Sequence, residues 1–305
     1  MYNGVLLLCK PQGFTSHDAI AKLRGIFGQR RIGHAGTLDP MAEGLLIVLL
    51  GSATRASDWA AGQDKEYIAR LRLGTVTDTQ DITGNILETR PVCVTEEELR
   101  KMLCGFTGPL LQMPPMYSAV QVGGQRLYKL ARRGVEIERE RREIVISSLE
   151  MLPRERGTPE TDFDLRIVCS KGTYVRTLCH DLGAALGCGG CMAALTRTRC
   201  GGFTIGQAHT LEELECIKPN LSPFVLPTDT AFSGLPIVTA NAAGIVRARN
   251  GAFLAQEHLA AGTLPPVGGL CRVYADNAFV WLGECRILDI GGDAVFCRAS
   301  FFADR

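Results

Sequence analysis

The run Gly33-His34-Ala35-Gly36-Thr37-Leu38-Asp39-Pro40-Met41-Ala42-Glu43-Gly44 is the stretch of this sequence best suited to chemistry. Its glycines and proline describe a tight loop between basic residues and an apolar run. Asp39 precedes Pro40, and a residue before proline is pushed toward extended backbone. A carboxylate on such a stiffened loop can serve as a nucleophile or base. It can equally cap a turn, as Asp often does, and spacing alone leaves both readings open. Glu43 places a second carboxylate in the same loop. Tyr67 sits on an alternating segment where it reads as a core aromatic. Arg176 and Lys10 read as surface cations, and His34 as a loop histidine bonding carbonyls.

The 12 cysteines need separate treatment. In a 305-residue chain whose start, Met1-Tyr2-Asn3-Gly4, lacks a basic leader, they read as reduced, buried small hydrophobes. The close pair Cys188-Gly-Gly-Cys191, flanked by Cys179 and Cys200, raises a zinc alternative. The run from Gly187 to Gly190 reads better as a flexible turn, so no metal is expected.

The elements that would position these residues follow from periodicity. Residues 4–9 form a short apolar run, a buried strand. Thr15 and Ser16 offer N-caps for a helix over about 17–27, whose apolar face is Ala19, Ile20, Leu23, Ile26 and Phe27. The Gly-rich loop runs from 33 to 44 and a second buried strand from 45 to 50. Tyr67, Ala69, Leu71 and Leu73 alternate with Ile68, Arg70 and Arg72, as a strand does with one face toward the core. Residues 162–169 alternate likewise. Thr95 with Glu98, and Thr210 with Glu213, are capping boxes that open two further helices. The irregular order lacks a βαβ rhythm and predicts an α+β fold with a mainly antiparallel, mixed sheet flanked by helices and loops. Prolines 219, 223, 227 and 236 mark a wrapped crossing segment. Beyond it, short apolar strands punctuated by glycine suit a small β-barrel.

Composition narrows the function. Hydrophobic residues make up 46% and charged residues 21%, as in a packed globular chain. No apolar run approaches the roughly 20 residues of a membrane span, and the cytoplasm is the expected compartment. Net charge is +1, so the whole chain carries no polyanion signal, but its distribution does. Residues 1–33 carry Lys10, Lys22, Arg24, Arg30 and Arg31 against Asp18 alone, and 124–142 is also strongly basic. Local basic clusters fit a polyanion groove or plain solubilising charge. There is no G-x-x-x-x-G-K-[ST] run and no G-x-G-x-x-G after a strand, so nucleotide-dependent chemistry finds no support.

The Asp39 loop with its following strand resembles the catalytic motif of the bacterial tRNA pseudouridine-55 synthase family, commonly called TruB. Further stretches agree in order: Lys10-Pro11-Gln12-Gly13, Lys65-Glu66-Tyr67, Thr77-Asp78-Thr79-Gln80-Asp81, Pro114-Pro115-Met116-Tyr117-Ser118-Ala119, and Ser170-Lys171-Gly172-Thr173-Tyr174-Val175-Arg176. The resemblance runs from about residue 4 to 207 and more weakly to the end. It implies a pseudouridine synthase domain over 1–234, with an RNA-gripping insertion at about 120–145, and a PUA-like RNA-binding domain over 235–305. It implies isomerisation of uridine 55 in the T loop of tRNA, with base flipping and no cofactor. A role in tRNA folding is compatible with it. Compact length and the lack of basic tails favour a stand-alone chain with no required protein partner, and no heptad or exposed apolar helix argues for more than a monomer. Asp39 matches the family's essential aspartate, which either adds to the sugar or abstracts its 2′ proton. Tyr67 matches the active-site tyrosine and Arg176 the arginine that pairs with the aspartate. Tyr174 and Leu195 match positions lining the uridine pocket. His34 matches a histidine that helps turn the nucleotide out, and Lys10 a residue that builds the site or meets phosphate. The chain departs from the pattern at Glu43, usually small or hydroxylic, at Gly190-Cys191, usually Ala-His, and at Thr196, usually arginine. The opposing expectation is an RNA-binding or RNA-folding protein without chemistry. The joint presence of Asp39, Tyr67 and Arg176 favours the enzyme.

Overall fold

The computed structural model describes residues 1–218, 220–288 and 292–300, with Ala299 and Ser300 by main chain only. Pro219 of the crossing segment and residues 289–291 and 301–305 of the expected C-terminal domain lie outside the described residues.

The centre of the larger sheet is a continuous apolar run. β3 (Glu43–Leu50) is buried along nearly its whole length, which requires cover on both faces. β1 (Gly4–Lys10) pairs with it antiparallel, from Gly4 opposite Leu50 to Lys10 opposite Gly44. Between them come α1 (Ser16–Phe27) and β2 (Ile32–Ala35), which also pairs with β3. Thr15 caps α1 through a capping box with Asp18, and Gly28 ends it in the left-handed region at φ 63°. The apolar face of α1 covers Leu6, Leu8, Leu46, Val48 and Leu50 on one side of the sheet. On the other side Val5, Leu7, Leu45, Ile47 and Leu49 pack against Ala53, Ala60 and Phe232. Each leucine so enclosed contributes roughly 1.5–3 kcal/mol.

After the short α2 (Ser57–Ala61), β4 (Lys65–Leu73) continues the sheet. A two-stranded hairpin, β5 (Thr75–Thr77) and β6 (Ile86–Thr89), precedes α3 (Glu96–Gly105) and β7 (Gly108–Gln112). The basic insertion holds a second small hairpin, β8 (Gln121–Val122) and β9 (Gln125–Arg126), then α4 (Leu127–Ala131). Next come β10 (Arg142–Met151), β11 (Asp162–Cys169), α5 (Val175–Ala185), β12 (Gly190–Cys200), β13 (Phe203–Thr204) and α6 (Leu211–Cys216). The sheet order is β1-β3-β12-β4-β11-β10-β7, with β2 on β3 and β13 on β12. Every pair is antiparallel except β12 with β3, so the mixed, mainly antiparallel sheet is as the sequence predicts. The glycine-rich stretch is shorter than expected, because its first residues, His34 among them, form β2.

The crossing segment lies along β1, where Val5 and Leu226 exchange main-chain hydrogen bonds of 2.9 and 2.8 Å. It leads to a six-stranded sheet of β14 (Ile237–Ala240), β15 (Leu254–Ala255), β16 (Leu259–Ala261), β17 (Leu270–Ala275), β18 (Ala278–Ile287) and β19 (Asp293–Ser300). Its order is β15-β19-β18-β17-β14-β16. The two end strands are joined by the single turn Gln256–His258, which brings the sheet nearly round on itself. A helix absent from the sequence reading, α7 (Ala242–Arg249), lies against it; the Trp281 indole donates to the Ala248 carbonyl at 2.7 Å.

Candidate active site

Residues 36–42 form the loop between β2 and β3, and Asp39 sits in its middle. Two bonds to neighbours and one within the loop tie it down. The Leu38 amide donates to Ser16 Oγ at 3.0 Å, the Gly13 amide to the Pro40 carbonyl at 2.8 Å, and the Ala42 amide to the Asp39 carbonyl at 3.1 Å. The loop is therefore anchored by the start of α1 and by the β1–α1 turn.

Asp39 meets Arg176, from the first turn of α5, although 137 residues separate them. Arg176 Nε lies 2.8 Å from Asp39 Oδ2, and Nη2 donates to Oδ1 at 3.3 Å. The same guanidinium donates to the Tyr117 carbonyl at 2.9 Å and the Thr79 carbonyl at 3.3 Å, and lies 3.5 Å from Asp81 Oδ2. Asp81 is buried; its other oxygen accepts from the Thr83 amide and the Thr79 hydroxyl, each at 2.9 Å. One arginine is thus shared by two carboxylates. Burial pushes the Asp39 carboxyl above its ordinary range; Arg176 opposes this and Asp81 reinforces it. Arg176 keeps only 6% of its side-chain surface, whereas Asp39 keeps 35%, so the carboxylate is the accessible end of the network.

Tyr67 leaves β4 on its core face and is 8% exposed. It shares an apolar cluster with Leu38, Met41, Ala42, Val175 and Leu195, which sets apolar side chains beside the Asp39 loop. Burial pushes the Tyr67 phenol up to about 12, against the opposing pull of Arg197. Tyr174 is the N-cap residue of α5, fixed by reciprocal bonds between its main chain and the Gln112 amide at 2.8 and 3.0 Å. Its ring is half-buried, and burial pushes the phenol up.

Lys10 and His34 differ from what their sequence surroundings suggest. Lys10 is fully buried, and its ammonium donates to the carbonyls of Pro11 at 2.8 Å and Phe14 at 2.7 Å. It therefore braces the β1–α1 turn and points away from any phosphate outside. Burial lowers its pKa to about 8, with Asp39 and Glu43 opposing. His34 is half-buried on β2, its ring edge-on to His17 at 5.4 Å, with no hydrogen bond to Nδ1 among the described residues. Burial, with His17 beside it, lowers its pKa to about 4, so the imidazole is neutral at physiological pH.

A loop carboxylate and a shared arginine describe a site; relatives decide its lineage. The chain matches the model of the TruB family pseudouridylate synthase N-terminal domain over residues 24–175, and that of the tRNA pseudouridylate synthase B C-terminal domain over 176–233. It is 39% identical to the tRNA pseudouridine synthase B of Alkaliphilus oremlandii over 284 residues, covering 93% of each chain. It is 50% identical to that of Opitutus terrae over 227 residues, covering 74% of this chain and 92% of the relative. The chain belongs to the TruB family. Among solved structures it resembles a chain of a Cbf5-Nop10-Gar1 complex, with a TM-score of 0.75 at 28% identity over 98% of this chain and 85% of that one. A chain of an H/ACA ribonucleoprotein bound to a substrate RNA containing 2′-deoxyuridine matches with a TM-score of 0.73 at 26% identity, over 98% of this chain and 85% of that one.

Two of the departures from the TruB pattern turn out to be partners. The Thr196 hydroxyl donates to Glu43 Oε1 at 3.1 Å across the parallel β12–β3 pair. The second carboxylate that Asp39 feels is Asp81 rather than Glu43. Asp81 lies in the acidic Thr77-Asp78-Thr79-Gln80-Asp81 stretch, but nothing in its spacing distinguishes it from Asp78. The third departure, Cys191, is a buried free thiol like Cys179, Cys188 and Cys200. The four do not converge, and no three metal-binding side chains gather among the described residues. Positive φ at Gly187 and Gly189 makes the glycine run a turn. In the basic insertion Arg126, Lys129, Arg132, Arg133, Arg141 and Arg142 are exposed and make no ion pair among the described residues; Arg139 pairs with Glu136.

Proposed function

We propose that this chain isomerises uridine to pseudouridine at position 55 in the T loop of tRNA, with Asp39 as the catalytic residue. The observation that carries the reading is the Asp39 carboxylate, gripped at 2.8 Å by Arg176 and left open beside the apolar cluster of Tyr67 and Leu195, in a TruB-family chain. The relatives named tRNA pseudouridine synthase B support tRNA as the substrate.

The reaction breaks the N1–C1′ bond, turns the uracil and forms a C5–C1′ bond. One proton leaves C5 and one is added to N1, so the product has the formula of the substrate and no oxidant or reductant is consumed. The Asp39 carboxylate starts the reaction either by adding to C1′ or by taking the 2′ proton; both need it ionised. Arg176 keeps that carboxylate aimed at the substrate. Tyr67 would stack on the flipped uracil, with its hydroxyl near C5 for the proton that leaves. Leu195 and Tyr174 would enclose the ring, and neutral His34 would meet the nucleotide on its way out of the stack, a flip that costs a few kcal/mol. Lys10 acts by holding the turn that anchors the loop.

We infer catalytic residues 1–234 and a PUA-like RNA-binding domain over 235–305, with the exposed cations of 120–145 gripping the T arm. This arrangement makes tRNA affinity fall steeply with added salt. The chain is taken to act as a monomer in the cytoplasm without a protein partner, and to be able to assist tRNA folding while it holds the T arm.

The test is pseudouridine formation in an unmodified tRNA transcript by the purified chain alone, compared with Asp39→Asn. Conversion at uridine 55 by the wild type, and binding without conversion by the variant, is the expected result. Binding by both without conversion by either would favour an RNA-binding protein without chemistry.

A further inference from the structure

Arg197, on β12, takes no part in the chemistry above, yet only 1% of it is exposed. A buried guanidinium ordinarily sits against a carboxylate, but Arg197 makes no ion pair among the described residues. Its partners are main-chain carbonyls. Nε donates to Leu45 at 2.6 Å and Nη2 to Gly36 at 3.0 Å. Those two residues bracket the loop that carries Asp39, so one planar fork clasps both of its ends. The strand can come this close because residue 44 is glycine. A Cβ on Gly44, at φ +99°, would stand 2.5 Å from the Arg197 carbonyl oxygen. Across the sheet Arg197 is directly opposite Tyr67, and directly opposed residues leave on the same face. The guanidinium lies near enough to the Tyr67 phenol to pull its pKa down against burial. A single side chain therefore holds the base of the Asp39 loop and lies beside the phenol.

We propose that Arg197 is a positioning residue, which fixes the Asp39 loop and the Tyr67 phenol against each other so that both meet the same nucleotide. This rests on the reading of Tyr67 as the group at C5. Lysine substitutes only in part, because its ammonium lacks the planar fork that reaches two carbonyls together.

The experiment is a double-mutant cycle on the single-turnover rate of pseudouridine formation in unmodified tRNA transcript, using wild type, Arg197→Gln, Tyr67→Phe and the double variant, with tRNA affinity measured alongside. Arg197→Gln slows the chemical step roughly 100-fold, the scale of a displaced acid–base group, and leaves tRNA affinity nearly unchanged. In the Tyr67→Phe background the same substitution costs far less, because both changes act on one phenol. Arg197→Lys, which keeps the charge and loses the fork, falls between Gln and wild type. An equal loss in both backgrounds, or an Arg197→Gln protein as fast as wild type, overturns the proposal. If Arg197→Gln does not fold, the cycle with Arg197→Lys is read in the same way. A Tyr67→Phe protein as fast as wild type would instead sink the reading of Tyr67 itself, whatever Arg197 does.

Discussion

The two faces of β4 use the same chemistry for opposite ends. On the outer face Arg70 and Arg72 each bind a single carboxylate through both prongs, Asp164 at 2.8 and 2.8 Å and Asp162 at 2.8 and 2.7 Å. These are directly opposed residues of β4 and β11. Each pair is closed: both oxygens and both donors are used on each other. On the inner face, behind Tyr67, the site has one guanidinium divided between Asp39 and Asp81 and two carbonyls, with contacts from 2.8 to 3.5 Å. A closed pair fixes a sheet. A divided guanidinium leaves its carboxylates incompletely neutralised, and one of them, Asp39, is open to a substrate. The outer face serves stability and the inner face stores reactivity.

The comparison predicts its largest effect at Arg176. Replacing it with Met leaves two carboxylates without their shared counter-charge, which costs about 3–5 kcal/mol for a buried pair. Activity should report the same event through pH. In the role proposed for Asp39, the protonated carboxyl can neither add to C1′ nor take a proton, so the rate should fall as pH drops through its raised pKa. Arg176 pulls that pKa down, so Arg176→Met moves the acid limb to higher pH. Asp81 pushes it up, so Asp81→Asn moves the limb to lower pH. Single-turnover rates across pH measure both. Shifts in the same direction would mean that the two groups do not compete over Asp39.

The outer face should behave in the opposite way. Asp162 is 1% exposed and accepts two charge-assisted bonds from Arg72. Asp162→Ala removes them and lowers stability by about 2–3 kcal/mol, with the rate of the folded enzyme unchanged. Urea unfolding and activity on the same sample test this. A loss of rate without a loss of stability would erase the distinction between the faces.

Much of this division is readable in the sequence, and the unreadable part has a physical reason. The alternation of Tyr67, Ala69, Leu71 and Leu73 against Arg70 and Arg72 announces the two faces, because strand parity is local. The capping boxes at Thr95 and Thr210 are local too, and both form. The meeting of Asp39 with Arg176 depends on chain folding over 137 residues, and only family motifs point to it. Arg197 escapes even parity. In the run Arg197-Thr198-Arg199 either arginine could turn inward, and the ladder to β4 slips between Arg197 and Arg199 and again between Met192 and Ala194. Such irregularities break the two-residue period. Lys10 misleads for a related reason, since a lone lysine after an apolar strand reads as exposed. Its burial depends on the carbonyls of the turn that follows. In the C-terminal sheet α7 has few large apolar residues, so its helical period is faint.

The smallest expected effect lies at the edge of the outer face. Glu66 accepts from both Arg166 donors, at 2.9 and 3.1 Å, and from the Thr198 hydroxyl at 2.8 Å. Burial pushes its carboxyl up, but the bonds from Thr198 and Arg166 outweigh this and hold it below the ordinary range. Arg166 is half open to solvent, so screening keeps the pair weak. Glu66→Gln should therefore cost no more than about 1 kcal/mol at neutral pH. A depressed carboxyl contributes stability above its unfolded pKa and loses it as pH falls through the folded one. The gap between wild type and Glu66→Gln should then close in acid below the usual carboxylate range. Urea midpoints of the two proteins at neutral and acid pH measure that gap. If it survives in acid, the hydrogen-bonding shape of Glu66 stabilises the strand rather than its charge, and the outer face is less electrostatic than its ion pairs suggest.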